Sequence, residues 1–227
     1  MRSLPLRRAY YRLRNHVKGS AADASSLYDI WHHTFFSPTE QIRDLEFLVV
    51  DTETSALTTQ EGELLSIGWV VIKDSAVDLG SSQHHLLQVE ESVGQSAVIH
   101  QLRDCELENG ISPEAMMRMF LQQVRGRILV FHHADLDMAF LDQLSLQCFG
   151  MPLLLPYIDT LQVEKRRLLH KHQAIEKGAL RLASCRHRYN LPDYPAHNAL
   201  MDALATAELL LAQCVGKGRD VRLRDLY

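Results

Sequence analysis

A chain of 227 residues with 46% hydrophobic and 23% charged side chains fits a soluble globular protein with one main domain and a sizeable buried core. No apolar run approaches the length of a membrane span, and no long apolar segment follows the basic N-terminus, so neither a transmembrane helix nor a secretory leader is expected. A net charge of −4 excludes a broad positive field; a nucleic-acid partner would have to be held by local basic patches and by metal.

Residues 1–18 carry Arg2, Arg7, Arg8, Arg12, Arg14 and Lys18 and no acid. Leu6, Tyr10, Leu13 and Val17 form one stripe of an amphipathic helix, expected to dock on the main domain with the arginines in solvent. A second use of the segment is a basic grip on phosphates, with Tyr10 and Tyr11 available for stacking. Residues 19–26 are small and polar and read as a linker or helix start. A short helix is predicted from Leu27 to Phe36, and Ser37-Pro38-Thr39-Glu40 has the spacing of a capping box that opens another.

Phe47 to Val50 is an apolar run that reads as a buried strand, and Asp51 and Glu53 follow where it leaves the core. Alternation places both acids on one face, with Thr52 turned away. Two such charges repel unless a cation lies between them. Leu64–Ile72 and a segment within Val77–Val89 are further strands, joined as an antiparallel meander. Ser112-Pro113-Glu114 starts a helix whose Met116, Met117, Phe120 and Val124 read as core packing. Arg127–Phe131 is a second buried strand, leading through His132 and His133 into a helix. Tyr157-Ile158-Asp159 is a short last strand, with a helix following through His170. Ala179–Tyr189 is predicted as a helix, Leu191–Pro195 as a rigid turn, and Asn198–Val215 as the final helix. Cys105, Cys148, Cys185 and Cys214 show no C-x-x-C pairing and read as reduced thiols, which points to the cytoplasm.

Two more carboxylates sit where they do not belong. Asp202 lies inside a helix that is apolar nearly all round, and Asp137 lies between Leu136 and Met138 just beyond a buried strand. An unpaired buried carboxylate costs several kcal/mol or takes up a proton, so both need a cation. His197 precedes Asp202 by five residues. Asp135 is better suited to a solvated helix N-terminus.

The ordered set D-T-E-T at 51–54, H-x-A-x-x-D-x-x-F-L at 132–141 and H-x4-D at 197–202 resembles the three motifs of the DEDDh, or DnaQ-like, 3′→5′ exonucleases. That family includes the proofreading epsilon subunit of bacterial DNA polymerase III. Val98-Ile99-His100, Ile158-Asp159-Thr160-Leu161 and Leu180-Arg181-Leu182 agree with it. The resemblance implies an α/β, ribonuclease H-like fold with a mixed five-stranded sheet flanked by helices. It divides the chain into a helical N-terminal extension at 1–45, an exonuclease domain at 46–216 and a short tail at 217–227. The long polymerase-holding tail of the replicative subunit is not expected beyond Tyr227. Two departures stand out: Ser55-Ala56-Leu57 replaces the common Thr-Gly-Leu, and His133 stands where asparagine is frequent.

By that resemblance Asp51, Glu53, Asp137 and Asp202 bind metal and His197 is the general base, while Thr52, Thr54 and Leu57 meet the substrate. Carboxylate oxygens without thiolates suit two Mg²⁺ or Mn²⁺ ions. Set about 4 Å apart, two such ions clamp an in-line phosphodiester displacement. Asp51 would bridge the ions, with Glu53 and Asp202 on the first and Asp137 near the second. The expected reaction releases 5′-mononucleotides from single-stranded or frayed 3′ ends, of DNA before RNA, with replication or repair proteins as partners. An exoribonuclease with the same site, or a non-catalytic nucleic-acid-binding accessory protein, would carry the same fold.

Overall fold

A computed structural model describes residues 4–18, 24–88, 110–195, 197–218 and 220–227. The expected Val98-Ile99-His100 segment, Cys105 and most of the 19–26 linker lie outside them. The described sheet has five strands: β1 (Phe47–Thr54), β2 (Leu64–Lys73), β3 (Ala76–Leu86), β4 (Ile128–Phe131) and β5 (Tyr157–Asp159), in the order β3-β2-β1-β4-β5. β1, β2 and β3 pair antiparallel as a meander, whereas β4 and β5 run parallel to β1. Seven α-helices are described: α1 (Leu4–Lys18), α2 (Ala24–His33), α3 (Pro113–Val124), α4 (Ala134–Phe149), α5 (Thr160–His170), α6 (Leu182–His187) and α7 (Ala199–Val215). The mixed sheet flanked by helices is the architecture expected from the motifs.

Alternation along β1 divides the interior in two. Leu48 and Val50 join Ile67, Trp69, Phe120 and Phe140 on one face of the sheet, where α2, α3 and α4 pack. Phe47 and Val49 join Val70, Ile128, Val130 and Ile158 on the other, with Ala207 and Leu210 of α7. The methionine pair of α3 is fully buried, as the core reading required. Each end of the N-terminal and C-terminal segments also enters a core: Leu27, Ile30 and Trp31 the first, Ile42, Val221, Leu223 and Leu226 the second. Backbone bonds from Ile42 to Val221 and from Leu223 to Glu40 stitch the two segments together.

Three expectations need correction. The stripe of α1 faces outward: Leu6, Tyr10 and Leu13 are 76, 60 and 68% exposed. The helix docks instead through Leu4, Arg8 and Tyr11, because the surface under it presents backbone carbonyls that a guanidinium satisfies and a leucine cannot. Arg8 donates to Leu154 O, Trp31 O and Thr34 Oγ1. Leu154 precedes β5, so α1 lies at the end of the sheet where the parallel strands begin, away from the acids that end β1. Second, Ser37–Glu40 makes one half of a capping box, Glu40 Oε1 accepting from Ser37 N–H at 3.1 Å, while the Ser37 hydroxyl accepts from Thr39 N–H, and it closes only one turn. Gln41 then pairs with Arg222 and a 3₁₀ turn covers Ile42–Asp44, so no α-helix can propagate. Third, the helix expected at 179–189 shrinks to α6.

α7 lies across β1 and β2, and Gly68 sets how closely. A Cβ on Gly68 would overlap the backbone of Ala199 and Leu200 in the first turn of α7. Backbone cannot swing aside as a side chain can. Gly68→Ala should therefore cost about 1–3 kcal/mol through overpacking, read as a lowered urea midpoint; a midpoint equal to the parent's would mean that helix and strand do not meet there.

Candidate active site

Asp51 and Glu53 project from the last turns of the β1 pleat on the α7 side. Asp51 pairs with Gly68 across the ladder. Because Gly68 lets the first turn of α7 rest on β2, Asp202, in that same turn, arrives beside them. One carboxylate oxygen from each of Asp51, Glu53 and Asp202 lies within 4.8 Å of the other two. Asp137 comes from the opposite face of the sheet, on the first turn of α4. Thr52, which alternation turns toward that face, holds it there: its N–H donates to Asp137 Oδ1 at 3.0 Å and its hydroxyl at 2.7 Å. The four expected metal-binding acids thus gather at one strand end from three elements.

Their electrostatics record the crowding. Burial, then the charges of Asp137, Asp202 and Glu53, pushes Asp51 well above the usual carboxylate range. Burial, with Asp202 and Asp137, raises Glu53 to about 7. Burial raises Asp137 to about 6, although its bonds from Thr52 favour the anion. Burial also raises Asp202, opposed by the backbone bond from His197. Each shift has the sign that a nearby divalent cation would reverse, and an all-oxygen donor set suits Mg²⁺ or Mn²⁺.

His197 enters α7 from a loop with its backbone in the left-handed region, at φ 66°. Its N–H donates to Asp202 Oδ2 at 2.9 Å, while Asn198 caps the helix by accepting from Met201 N–H. The histidine is exposed beside the acids. His132 is tied down, to Thr160 Oγ1 and Leu180 O. His133 adopts the left-handed conformation, φ 73°, at the N-cap of α4, which accounts for asparagine being common at such a position.

The expected substrate contacts divide. Leu57 is 83% exposed in the loop after β1 and free to meet a base. The hydroxyl of Thr54 donates to Ala56 O, closing that loop, and the hydroxyl of Thr52 serves Asp137. Neither points its donor at a ligand. Two further residues have site roles not foreseen: Gly68, whose signal was an isolated glycine inside an apolar strand, and Asp159. Asp159 accepts from His133 N–H and Leu161 N–H, capping α4 and α5 together and fixing the turn from which Asp137 projects.

Comparison with known proteins agrees with this geometry. The family model described as Exonuclease, of the RNase T type, matches residues 48–210. PolC-type DNA polymerase III of Thermotoga petrophila is 30% identical over 166 residues, 73% of this chain but 12% of that protein. The Thermotoga maritima protein is 30% identical over 169 residues, with the same 12% spanned. Among solved structures, exonuclease I superposes with a TM-score of 0.64 at 14% identity, over 74% of this chain and 40% of that one. Cell-death related nuclease 4 gives 0.63 at 14% identity, over 78% and 65%. Exonuclease X in complex with 5′-overhanging duplex DNA gives 0.57 at 18%, over 79% and 98%. These structures share the ribonuclease H-like fold. With the family model covering residues 48–210, every motif acid among them, the chain belongs to the RNase T-type exonuclease family, as a DnaQ-like member.

Proposed function

We propose that the chain is a metal-dependent 3′→5′ exonuclease of the DEDDh type that releases 5′-mononucleotides from single-stranded or frayed 3′ ends of DNA. The observation that carries this reading is the meeting of Asp51, Glu53 and Asp202 within 4.8 Å, with Asp137 pinned to Thr52 alongside. These four side chains would hold two divalent cations, Mg²⁺ or Mn²⁺. Such ions lower the pKa of bound water and offset charge on the attacking and leaving oxygens of an in-line displacement. His197, exposed at the rim, takes the proton of the attacking water on an imidazole nitrogen. Leu57 packs on the terminal base, and Asp159 and Thr52 keep Asp137 from swinging out.

Strand preference follows from charge. Four acids at the site and a net charge of −4 leave little tolerance for the flanking phosphates of a second strand. A duplex end must first unpair, at roughly a few kcal/mol per base. Exonuclease I has been solved with dT13 and dA16 oligonucleotides, which supports a nucleic-acid substrate here. The PolC-type relatives, of which the matched region is 12%, support association with a polymerase in replication or repair. Among the described residues no helix is long and apolar enough to cross a membrane, and Cys148, Cys185 and Cys214 are free thiols, in keeping with the cytoplasm.

Metal dependence has a stability signature with a definite sign. Carboxylates whose folded pKa exceeds the unfolded value bind more protons when folded, so their contribution is greatest at low pH and is lost as pH rises through the folded values. For Glu53 and Asp137 the window runs from the ordinary carboxylate range to about 6–7. The melting temperature of the metal-free protein should fall across that window, and added Mn²⁺ should raise it more at pH 8 than at pH 5. A Mn²⁺ effect equal at both pH values would contradict binding at these acids.

Activity gives the direct test. On a 5′-labelled single strand the parent chain with Mg²⁺ should produce a descending ladder on a denaturing gel, and Asp51→Asn should produce none while melting normally. Immediate release of labelled mononucleotide, or cuts in circular DNA, would refute the polarity; faster shortening of a matched RNA would move the substrate class. His197→Ala should slow hydrolysis about 10²–10⁴-fold.

A further inference from the structure

The loop that delivers His197 is fastened from below by one buried guanidinium. Arg186, on α6, is 3% exposed. Its Nη1 donates to Ala205 O of α7, and its Nη2 donates to Pro192 O and to Glu208 Oε2, each at 2.8 Å. Glu208, also on α7, accepts at its other oxygen from the hydroxyl of Tyr194 at 2.8 Å. The guanidinium lies 4.6 Å from the centre of the Tyr194 ring. Pro192 and Tyr194 belong to the irregular 191–195 stretch, three to five residues before His197. Ala205 and Glu208 lie one and two turns beyond Asp202 on the same helix.

A mere pin between α6 and α7 would need only the bonds to Ala205 and Glu208. The bonds to Pro192 and from Tyr194 add a third body, the loop, to the same cation. Both ends of the His197 loop are then referred to α7: one through Arg186 and Glu208, the other through the His197 N–H on Asp202. We infer that Arg186, Glu208 and Tyr194 are positioning residues, which hold the imidazole of His197 at a set place over the acids by fixing its loop to the helix that carries Asp202. The inference rests on the reading of His197 as base.

Arg186 suits this task where lysine would not. Its planar fork reaches three acceptors on two elements and stacks on a ring, whereas an ammonium is a point charge without a fixed geometry. A displacement of about 1 Å at a reacting group can cost on the order of 10²-fold in rate. Loosening one bond of the clamp should therefore show in kcat before it shows in folding.

The test is a double-mutant cycle on the full chain, with a 5′-labelled single-stranded oligonucleotide and saturating Mn²⁺. Glu208→Gln and Tyr194→Phe are mild changes that keep side-chain volume; Arg186→Lys is the stronger one. Each should lower kcat about 3–30-fold with KM and the Mn²⁺ concentration dependence unchanged. In a His197→Ala background each should cost no further activity, because the group being positioned is gone. An equal fold-loss in both backgrounds would overturn the inference and leave a structural pin. Tyr194→Phe serves where Arg186→Lys does not fold, and an unchanged kcat in both Tyr194→Phe and Glu208→Gln would overturn it as well. His197→Ala alone separates the two levels: a rate equal to the parent's refutes the base reading itself.

Discussion

Three carboxylates within 4.8 Å of one another, at the end of a central strand, repel. Left to themselves they would spread apart or hold protons, and the raised pKa values of Asp51 and Glu53 show the second response. Much of the architecture around them resists the first. β1 lies at the centre of the sheet, parallel to β4 over Phe47–Val49 and antiparallel to β2 along its length, so Asp51 and Glu53 cannot retreat without breaking their pairing with Gly68 and Ser66. α7 is pressed onto β2 through the missing side chain of Gly68, which keeps Asp202 in place. Asp137 is held by two bonds from Thr52 and by the Asp159 cap on its helix.

The period of two along β1 makes this possible with few residues. Phe47, Val49, Asp51 and Glu53 share a face, so the packing that seats the first two aims the last two. Leu48, Val50 and Thr52 share the other, and there the same rule aims a donor at Asp137. One strand thus supplies two of the clustered carboxylates on one side and the anchor for Asp137 on the other. A register slip of one residue would exchange the faces and dismantle both cores and the site together.

How much of this was legible in the sequence depended on range. Asp137 and Asp202 were readable because a carboxylate inside an apolar run is anomalous without a cation, and the ordered motifs fixed the fold. Asp51 and Glu53 followed from alternation. The outward turn of Leu6, Tyr10 and Leu13 was not readable, since it depends on the carbonyls of Leu154 and Trp31, distant in sequence, which Arg8 satisfies better than an apolar stripe could. Ser37–Glu40 carried the local signal of a helix start, yet pairing of Gln41 with Arg222 overrode it. Motif position marks Thr52 and Thr54 as substrate contacts, but it could not reveal that the Thr52 hydroxyl serves Asp137, eighty-five residues on, and that the Thr54 hydroxyl closes its own loop on Ala56 O. Arg186 and Glu208 gave no signal, because a charged pair twenty-two residues apart has no local pattern.

The two ends of the sheet carry opposite burdens. Where the parallel strands begin, α1, the turn at Ile42–Asp44 and the 220–227 segment seal the cores: Ile42 and Leu223 exchange backbone bonds with Val221 and Glu40, and Arg166 donates to Leu226 O. Where the strands end, there are loops, exposed Leu57 and His197, and carboxylates that destabilise one another. β1 spans eight residues, so at ~3.3 Å per residue the two ends lie roughly 23 Å apart. Unfavourable charge can be concentrated at one end because apolar burial at the other does not depend on it. By the same separation a change such as Asp51→Asn should relieve repulsion at the strand ends and leave both cores as they were.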